Sequence, residues 1–270
     1  MTSVYELRDR GVFATEYARG PWDPRHQHGG APAALMMRAF EALDPDPGLA
    51  IVRVTYELLR PVPLGALSVD ATTVRPGRRV QLLEGSIHTP EGVEVLRARA
   101  LRVRRPATTA GGSASADPAG SELVAGPLEV PGSPDGVEPS GFASADTLFP
   151  GDAMEIRFVR GSFFTPGPAT AWFRLRVPVV AGESPSPLQR MAAAADFPNG
   201  IATELDWNRY VFINPDLTLS IERPPVGEWI ALTAAMSVDP DGGGIAQAVL
   251  HDARGRIGRS LQSLYVAERD

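Results

Sequence analysis

The chain has no cysteine. Disulfides, thiolate nucleophiles and cysteine-based metal sites are therefore excluded. It also has no lysine: all 26 basic residues are arginine, which reads as the mark of a GC-rich genome rather than of function. No run approaches the roughly 20 apolar residues of a membrane-spanning helix. The segment Met1 to Arg10 is polar and lacks the apolar core of a signal peptide. A soluble, cytoplasmic protein is expected. Basic residues are not clustered and the net charge is −6. Nucleic acid is therefore not expected as the main partner, because phosphate binding needs a concentrated basic surface. No triad spacing of Ser, His and Asp supports covalent catalysis. His26 and His28 have no third ligand nearby, and His88 and His251 fall at strand ends, so no metal or other cofactor is implied.

What is present is a repeat. Leu59-Arg60-Pro61-Val62-Pro63 returns as Glu222-Arg223-Pro224-Pro225-Val226. Thr89-Pro90-Glu91-Gly92 returns as Asp252-Ala253-Arg254-Gly255. The offset is 163 residues at Arg60/Arg223 and again at Gly92/Gly255. A fixed offset over about fifty residues indicates duplication of one supersecondary unit. Two copies suit two like domains packed together, and departures from the repeat should mark the site. At 270 residues the chain has room for two domains of roughly 110.

Residues 12–19 read as a first strand. Gly29-Gly30 then opens a helix with Pro32 in its first turn, where a missing N–H costs nothing. Ala33 to Leu43 is apolar nearly all round, so that helix should be enclosed by its domain. Four strands follow, at 51–59, 66–74, 80–88 and 93–103, punctuated by Pro and Gly turns. Composition shifts to Gly, Ala, Ser and Pro over 106–140, which reads as a connector, partly disordered. The second copy has strands at 154–160 and 169–179, then a helix at 187–195. Further strands follow at 210–222, 229–238, 244–251 and 257–267. The expected domains are 1–105, the connector 106–140, and 141–270.

A long antiparallel sheet curled round one buried helix is the hotdog arrangement, here expected twice: an α+β double hotdog. The chain resembles the acyl-CoA thioesterase II-like double-hotdog thioesterases. The residues that carry the resemblance are His28-Gly29-Gly30-Ala31, Ala195-Asp196-Phe197-Pro198, Glu222-Arg223-Pro224 with Glu228-Trp229, and Leu261-Gln262. It covers nearly everything except the connector. It implies hydrolysis of an acyl-CoA, or a related acyl thioester, to free acid and CoA, by a water held by an Asp, a Ser/Thr and a Gln. Asp196 and Gln262 match the first and last of these.

The residues themselves partly support those roles. Asp196 ends an otherwise apolar helix, where the negative end of the helix dipole disfavours it. A locally unfavourable choice hints at function, although an Asp in a solvated turn with Pro198-Asn199-Gly200 would look the same. Gln262 sits mid-strand between two apolar faces, so its amide needs buried partners. It could orient a water or simply bond to backbone. Continuing the 163-residue offset places Arg99 opposite Gln262, which makes the expected centre asymmetric. The third position departs from the family pattern. It falls on Asn214 or Thr218, both read on one side of a continuous strand with Asp216 between them. His28, Gly29 and Gly30, at a buried helix start, are the expected contact for the acyl carbonyl. The glycines could instead only relieve crowding there. Trp22, Trp172, Trp207 and Trp229 read as core or interface aromatics rather than a ligand cage.

A non-catalytic acyl-chain or CoA-binding double hotdog is the alternative, and the altered third position is its support. A hotdog hydratase would need a His a few residues after its Asp, and none follows Asn214-Pro215. The expected partner is the acyl-CoA substrate, with room for a homo-oligomer of double hotdogs.

Overall fold

The computed structural model describes residues 2–9, 11–105, 130–140 and 144–269. Most of the connector expected at 106–140 lies outside them. In the described part, Ser140 N–H donates to Ile156 O (2.7 Å), tying that segment to the sheet.

The first half contains β1 (Tyr5–Arg8), β2 (Gly11–Ala14), α1 (Gly30–Ala42), β3 (Leu49–Leu58), β4 (Gly65–Arg75), β5 (Val80–His88) and β6 (Glu94–Arg104). The second contains β7 (Met154–Ser162), β8 (Thr165–Leu175), α2 (Pro187–Ala194), α3 (Pro198–Ile201), β9 (Tyr210–Ile213), β10 (Asp216–Ile221), β11 (Ile230–Val238), β12 (Gly243–Asp252) and β13 (Gly255–Glu268). All described strands join one sheet in the order β1-β2-β4-β5-β6-β3-β10-β13-β12-β11-β8-β7, with β9 also on β13. Read from the two ends, this order is the same path through each half. The halves meet where β3 pairs with β10, and Thr55 lies opposite Thr218 there, separated by the repeat offset. A local two-fold axis therefore passes between these two threonines. The architecture is the expected α+β double hotdog.

Each half wraps its helix. Along α1, Ala31, Ala33, Ala34, Leu35, Met36, Met37 and Phe40 are all buried. Fully burying a side chain such as Leu35 or Phe40 contributes about 1.5–3 kcal/mol, so this helix is held by packing on every side. α2 starts where Ser186 caps it by accepting from Gln189 N–H (3.1 Å), with Pro187 in the first turn. The two helices run antiparallel against each other: Gly30 meets Ala193 at one end, and Ser186 meets Glu41 at the other. No helix among the described residues is long and apolar enough to cross a membrane.

The strand read at 169–179 runs instead from Thr165 to Leu175 and ends ahead of Pro178, which has no N–H for a ladder. The first strand, read at 12–19, stops at Ala14 and gives way to a 3-10 turn at Glu16–Ala18, capped by Thr15 Oγ1 accepting from Tyr17 N–H. An additional strand, β1, precedes it and pairs with β2. The strand read at 210–222 is broken at Asn214-Pro215 into β9 and β10. Proline has no N–H for the ladder and constrains the residue before it. Arg99 is not the counterpart of Gln262. His88 and His251 are equivalent, each sitting at a register shift just before its hairpin. Their partners across the turn are Glu94 and Arg256, so the second connection is one residue shorter. The offset drops from 163 to 162 beyond it. A one-residue slip turns every side chain to the other face. Ala100, not Arg99, thus stands opposite Gln262: Ala100 and Gln262 are both fully buried. Arg99 faces outward and pairs with Glu84 (2.8 Å).

Candidate active site

Asp196 follows α2, two residues past its last helical turn, and is 4% exposed. The chain turns at once into α3, which keeps the carboxylate under the sheet. Its Oδ1 accepts from Asn214 Nδ2 (2.8 Å) and from Gln262 Nε2 (3.0 Å). Gln262 reaches it from β13, and Asn214 from the break between β9 and β10. The interruption that makes Asn214 irregular is what frees its side chain from the strand's alternation.

Asn199, on α3, fixes both amides. Its backbone N–H donates to Gln262 Oε1 (3.2 Å), and its Nδ2 donates to Asn214 Oδ1 (3.3 Å). With the amide oxygens occupied in this way, both amide nitrogens point to the carboxylate. The sequence had offered Asn199 only as a turn residue. A polar side chain that must be buried three residues after a buried Asp is the signal that was there to read.

The second carboxylate oxygen faces the start of α1. Asp196 Oδ2 lies 3.3 Å from His28 Nδ1, which also accepts from Gly30 N–H (3.0 Å). The His28 ring packs with Phe149 (5.2 Å) and Phe197 (4.4 Å), which also lie 6.2 Å from each other, so the three rings form one aromatic cluster. Burial pushes His28 down to about 3, so the imidazole is neutral. Burial pushes Asp196 up to about 7, against the bonds from Asn214, Gln262 and Gly30 that favour its ionised form. The His28–Asp196 contact is therefore not an ion pair. Because Nδ1 accepts from Gly30 N–H it carries no proton of its own, and the proton of this contact, when present, sits on Asp196 Oδ2 and is donated to Nδ1.

Gly29 and Gly30 are required by the closeness of this approach. A Cβ on Gly29 would lie 2.6 Å from Asp196 Oδ2, and one on Gly30 would lie 2.4 Å from Ala193 O. The Gly29 N–H has no acceptor among the described residues.

The structure thus brings together Asp196, Gln262, Asn214, His28, Gly29 and Gly30. Thr218 is elsewhere: its hydroxyl bonds to Thr55 (3.2 Å) at the junction of the halves. The residue beside Gln262 on the inner face is Leu217, 1% exposed. Asn214 and Thr218 do not share one side of a strand, because Pro215 separates them.

A cavity of about 540 Å³ opens over this cluster. Asp196, His28, Gly29, Asn199 and Asn214 line it, with Phe163, Phe197, Leu58 and Val62 as apolar wall. Trp22 and Trp207 also line it, stacked at 4.8 Å, whereas Trp172 is core. The sequence had assigned all four tryptophans to packing. Trp229 lies instead beneath Arg157 and Arg174. No group of three or more potential metal ligands occurs among the described residues.

The other end of the helix pair differs. Glu41, at the end of α1, stands where Asp196 stands at the end of α2. Its carboxylate accepts from Ser186 Oγ (2.7 Å) and Gln189 Nε2 (3.1 Å), and burial raises its pKa. Alanine at 100 leaves that end without a counterpart to Gln262.

Family comparison matches residues 18–103 to the acyl-CoA thioesterase N-terminal domain and residues 132–266 to the acyl-CoA thioesterase C-terminal domain. No functionally curated protein matches the sequence. Among solved structures, a conserved hot dog fold protein of unknown function from Alicyclobacillus acidocaldarius has a TM-score of 0.71 at 16% identity, covering 98% of this chain and 96% of that one. A protein described as a thioesterase II from Thermobifida fusca has the same TM-score at 19% identity, with the same coverage. An acyl-CoA thioesterase II from Mycobacterium marinum has a TM-score of 0.60 at 12% identity, covering 94% of this chain and 97% of that one. At such identities these likenesses show the fold.

Proposed function

The chain belongs to the acyl-CoA thioesterase family, and from that premise we propose that it hydrolyses an acyl-CoA, or a related acyl thioester, with Asp196 as general base. The observation that carries this reading is the convergence of Asn214 and Gln262 on one oxygen of a buried carboxylate, with the other oxygen facing His28 and the glycines at the start of α1.

In this scheme Asp196 Oδ1 is saturated by the two amides, so Oδ2 is the basic atom. A water on the cavity side of Oδ2 attacks the thioester carbonyl carbon and gives its proton to Asp196. The carbonyl oxygen becomes an oxyanion beside the Gly29 N–H, at the positive end of α1. Collapse of the tetrahedral intermediate breaks the C–S bond. The leaving thiolate takes the proton from Asp196, which is then ready for another cycle. A thiolate leaves readily, so the site needs no strong acid, and neutral His28 serves to position Asp196. A base with a pKa near the working pH is suited to this exchange. Asn214 takes the third place, as the holder of Asp196 rather than of the water directly.

Incubating the protein with a panel of acyl-CoAs and detecting free thiol tests this reading. Release of CoA at a rate that depends on Asp196 is expected. Tight binding of acyl-CoA without any release would replace it with the non-catalytic binding reading.

A further inference from the structure

The repeat gives each half an arginine before a proline, Arg60 and Arg223, and the two have different surroundings. In the second half Arg223 is clipped. Its Nη1 donates to Asp252 Oδ2 (2.5 Å), and its Nη2 donates to Asp252 Oδ1 (2.6 Å) and Gly255 O (3.0 Å). Asp252 is fully buried and also accepts from the N–H groups of Val226 (2.7 Å) and Arg254 (2.8 Å). In the first half the position of Asp252 is taken by Thr89. Thr89 cannot hold a guanidinium as a carboxylate does. Arg60 is exposed, has no carboxylate partner among the described residues, and lines the cavity above Asp196.

A second arginine stands on the same cavity. Arg269 comes from the other half, just past β13, and also lacks a carboxylate partner among the described residues. It is steadied by donating to Tyr210 O (3.3 Å) and by lying 5.3 Å over the Trp22 ring. The one lining acid close to the rim, Asp23, is taken up by Arg25 (2.7 Å). Elsewhere the arginines are commonly neutralised: Arg99 by Glu84, Arg104 by Asp46, Arg209 by Glu268. In a protein of net charge −6, two uncompensated guanidinium groups on one cavity run against the overall sign.

We propose that Arg60 and Arg269 bind phosphate groups on the carrier arm of the thioester, and that the change from Asp to Thr at position 89 is what frees Arg60 to do so. The proposal rests on the hydrolase reading for the direction of the substrate. With the carbonyl at Asp196, the pantetheine arm must leave through the mouth, which brings its phosphate end to the rim. Guanidinium groups match phosphate oxygens in geometry and stay charged.

The test compares one acyl group on three carriers: coenzyme A, 4′-phosphopantetheine and pantetheine. The proteins are the wild type, Arg60→Ala, Arg269→Ala, the double variant, and Thr89→Asp, which restores the clip without removing the arginine. The KM for acyl-CoA should rise about tenfold per arginine, a typical loss for one charged hydrogen-bonded contact, with kcat unchanged. The KM for acyl-pantetheine, which has no phosphate, should not move. Thr89→Asp should shift KM in the same direction as Arg60→Ala. Raising the salt should weaken whichever phosphate-bearing thioesters the arginines hold and leave acyl-pantetheine unchanged. Acyl-phosphopantetheine locates the contact: it follows acyl-CoA if the phosphate nearest pantetheine is held, and acyl-pantetheine if the nucleotide phosphates are held. Either pattern supports the proposal. Equal rises for acyl-CoA and acyl-pantetheine, or no rise at all, would overturn it. Calorimetric titration with CoA runs alongside. If the wild type hydrolyses none of the thioesters, the hydrolase reading fails, and the effect of the arginines on CoA affinity decides this proposal alone. Thermal melts of each variant control for folding.

Discussion

Replacing Asp196 with Asn should cost activity and gain stability together, and the size of the gain should depend on pH. The carboxyl is buried, and burial lifts its pKa from 3.8 to about 7. Because the folded-state value is raised, the folded chain holds a proton that the unfolded chain has released over roughly pH 4–7. Stability therefore falls as pH rises through that window. The full cost above the folded-state pKa is about 4 kcal/mol, at about 1.4 kcal/mol per unit. Asn is nearly isosteric and uncharged. Its Oδ1 can accept from Asn214 and Gln262 as the carboxylate does, and its Nδ2 can donate to His28 Nδ1. Denaturant unfolding at pH 8 should show Asp196→Asn more stable than the wild type by up to about 4 kcal/mol, with the difference shrinking toward zero near pH 4. In parallel, kcat for acyl-CoA should fall by about 10²–10⁴-fold, the usual loss for a general base. The wild-type kcat/KM should rise with pH to a plateau above about 7, because the base must be ionised. A variant that is no more stable at pH 8 would show that Asp196 is not held against ionisation. A variant with wild-type turnover would refute its role as base.

Four further outcomes follow from the same geometry. Gly29→Ala should lower kcat with little change in melting temperature, because its Cβ would crowd Asp196 Oδ2 at 2.6 Å; unchanged turnover would show that the carboxylate has room to move. Thr218→Val should leave kcat intact and cost at most about 1 kcal/mol in a melt, since only its bond to Thr55 is lost. Arg99→Ala should leave turnover unchanged, its side chain being outside and paired with Glu84. Arg223→Ala should destabilise by about 3–5 kcal/mol, read by denaturant unfolding, because it strands the fully buried Asp252.

The fold was legible because duplication supplied an internal alignment, and α1 is too apolar to lie anywhere but inside a sheet. Strand limits were close wherever alternation and turn residues agreed, as at 80–88. The site was less legible, for local reasons. One missing residue in the 252–255 hairpin moved Gln262 out of register with Arg99 and opposite Ala100. Periodicity inside a strand does not reveal such a slip, since the count is lost in the turn. Pro215 broke a strand that hydrophobicity made continuous, which is why Asn214 and Thr218 looked equivalent. The His28–Asp196 contact joins the start of one half's helix to the end of the other's, and no local pattern encodes it. Asn199 was visible as a polar residue but not as a bridge between two amides.

The seam at Thr55 and Thr218 has a consequence for the birth of the protein. The first half leaves the ribosome before the second, with the hydrogen-bonding edge of β3 bare until β10 arrives. Because the seam is antiparallel and centred on equivalent residues, that edge is complementary to itself. Two nascent first halves could therefore pair through β3 with the same threonine rung at the middle, and both would be lost to productive folding. An uncovered strand edge of this kind invites aggregation. Expression yield should then depend on how quickly translation delivers the second half, and synonymous changes that slow the ribosome between the halves should shift protein from the soluble to the insoluble fraction.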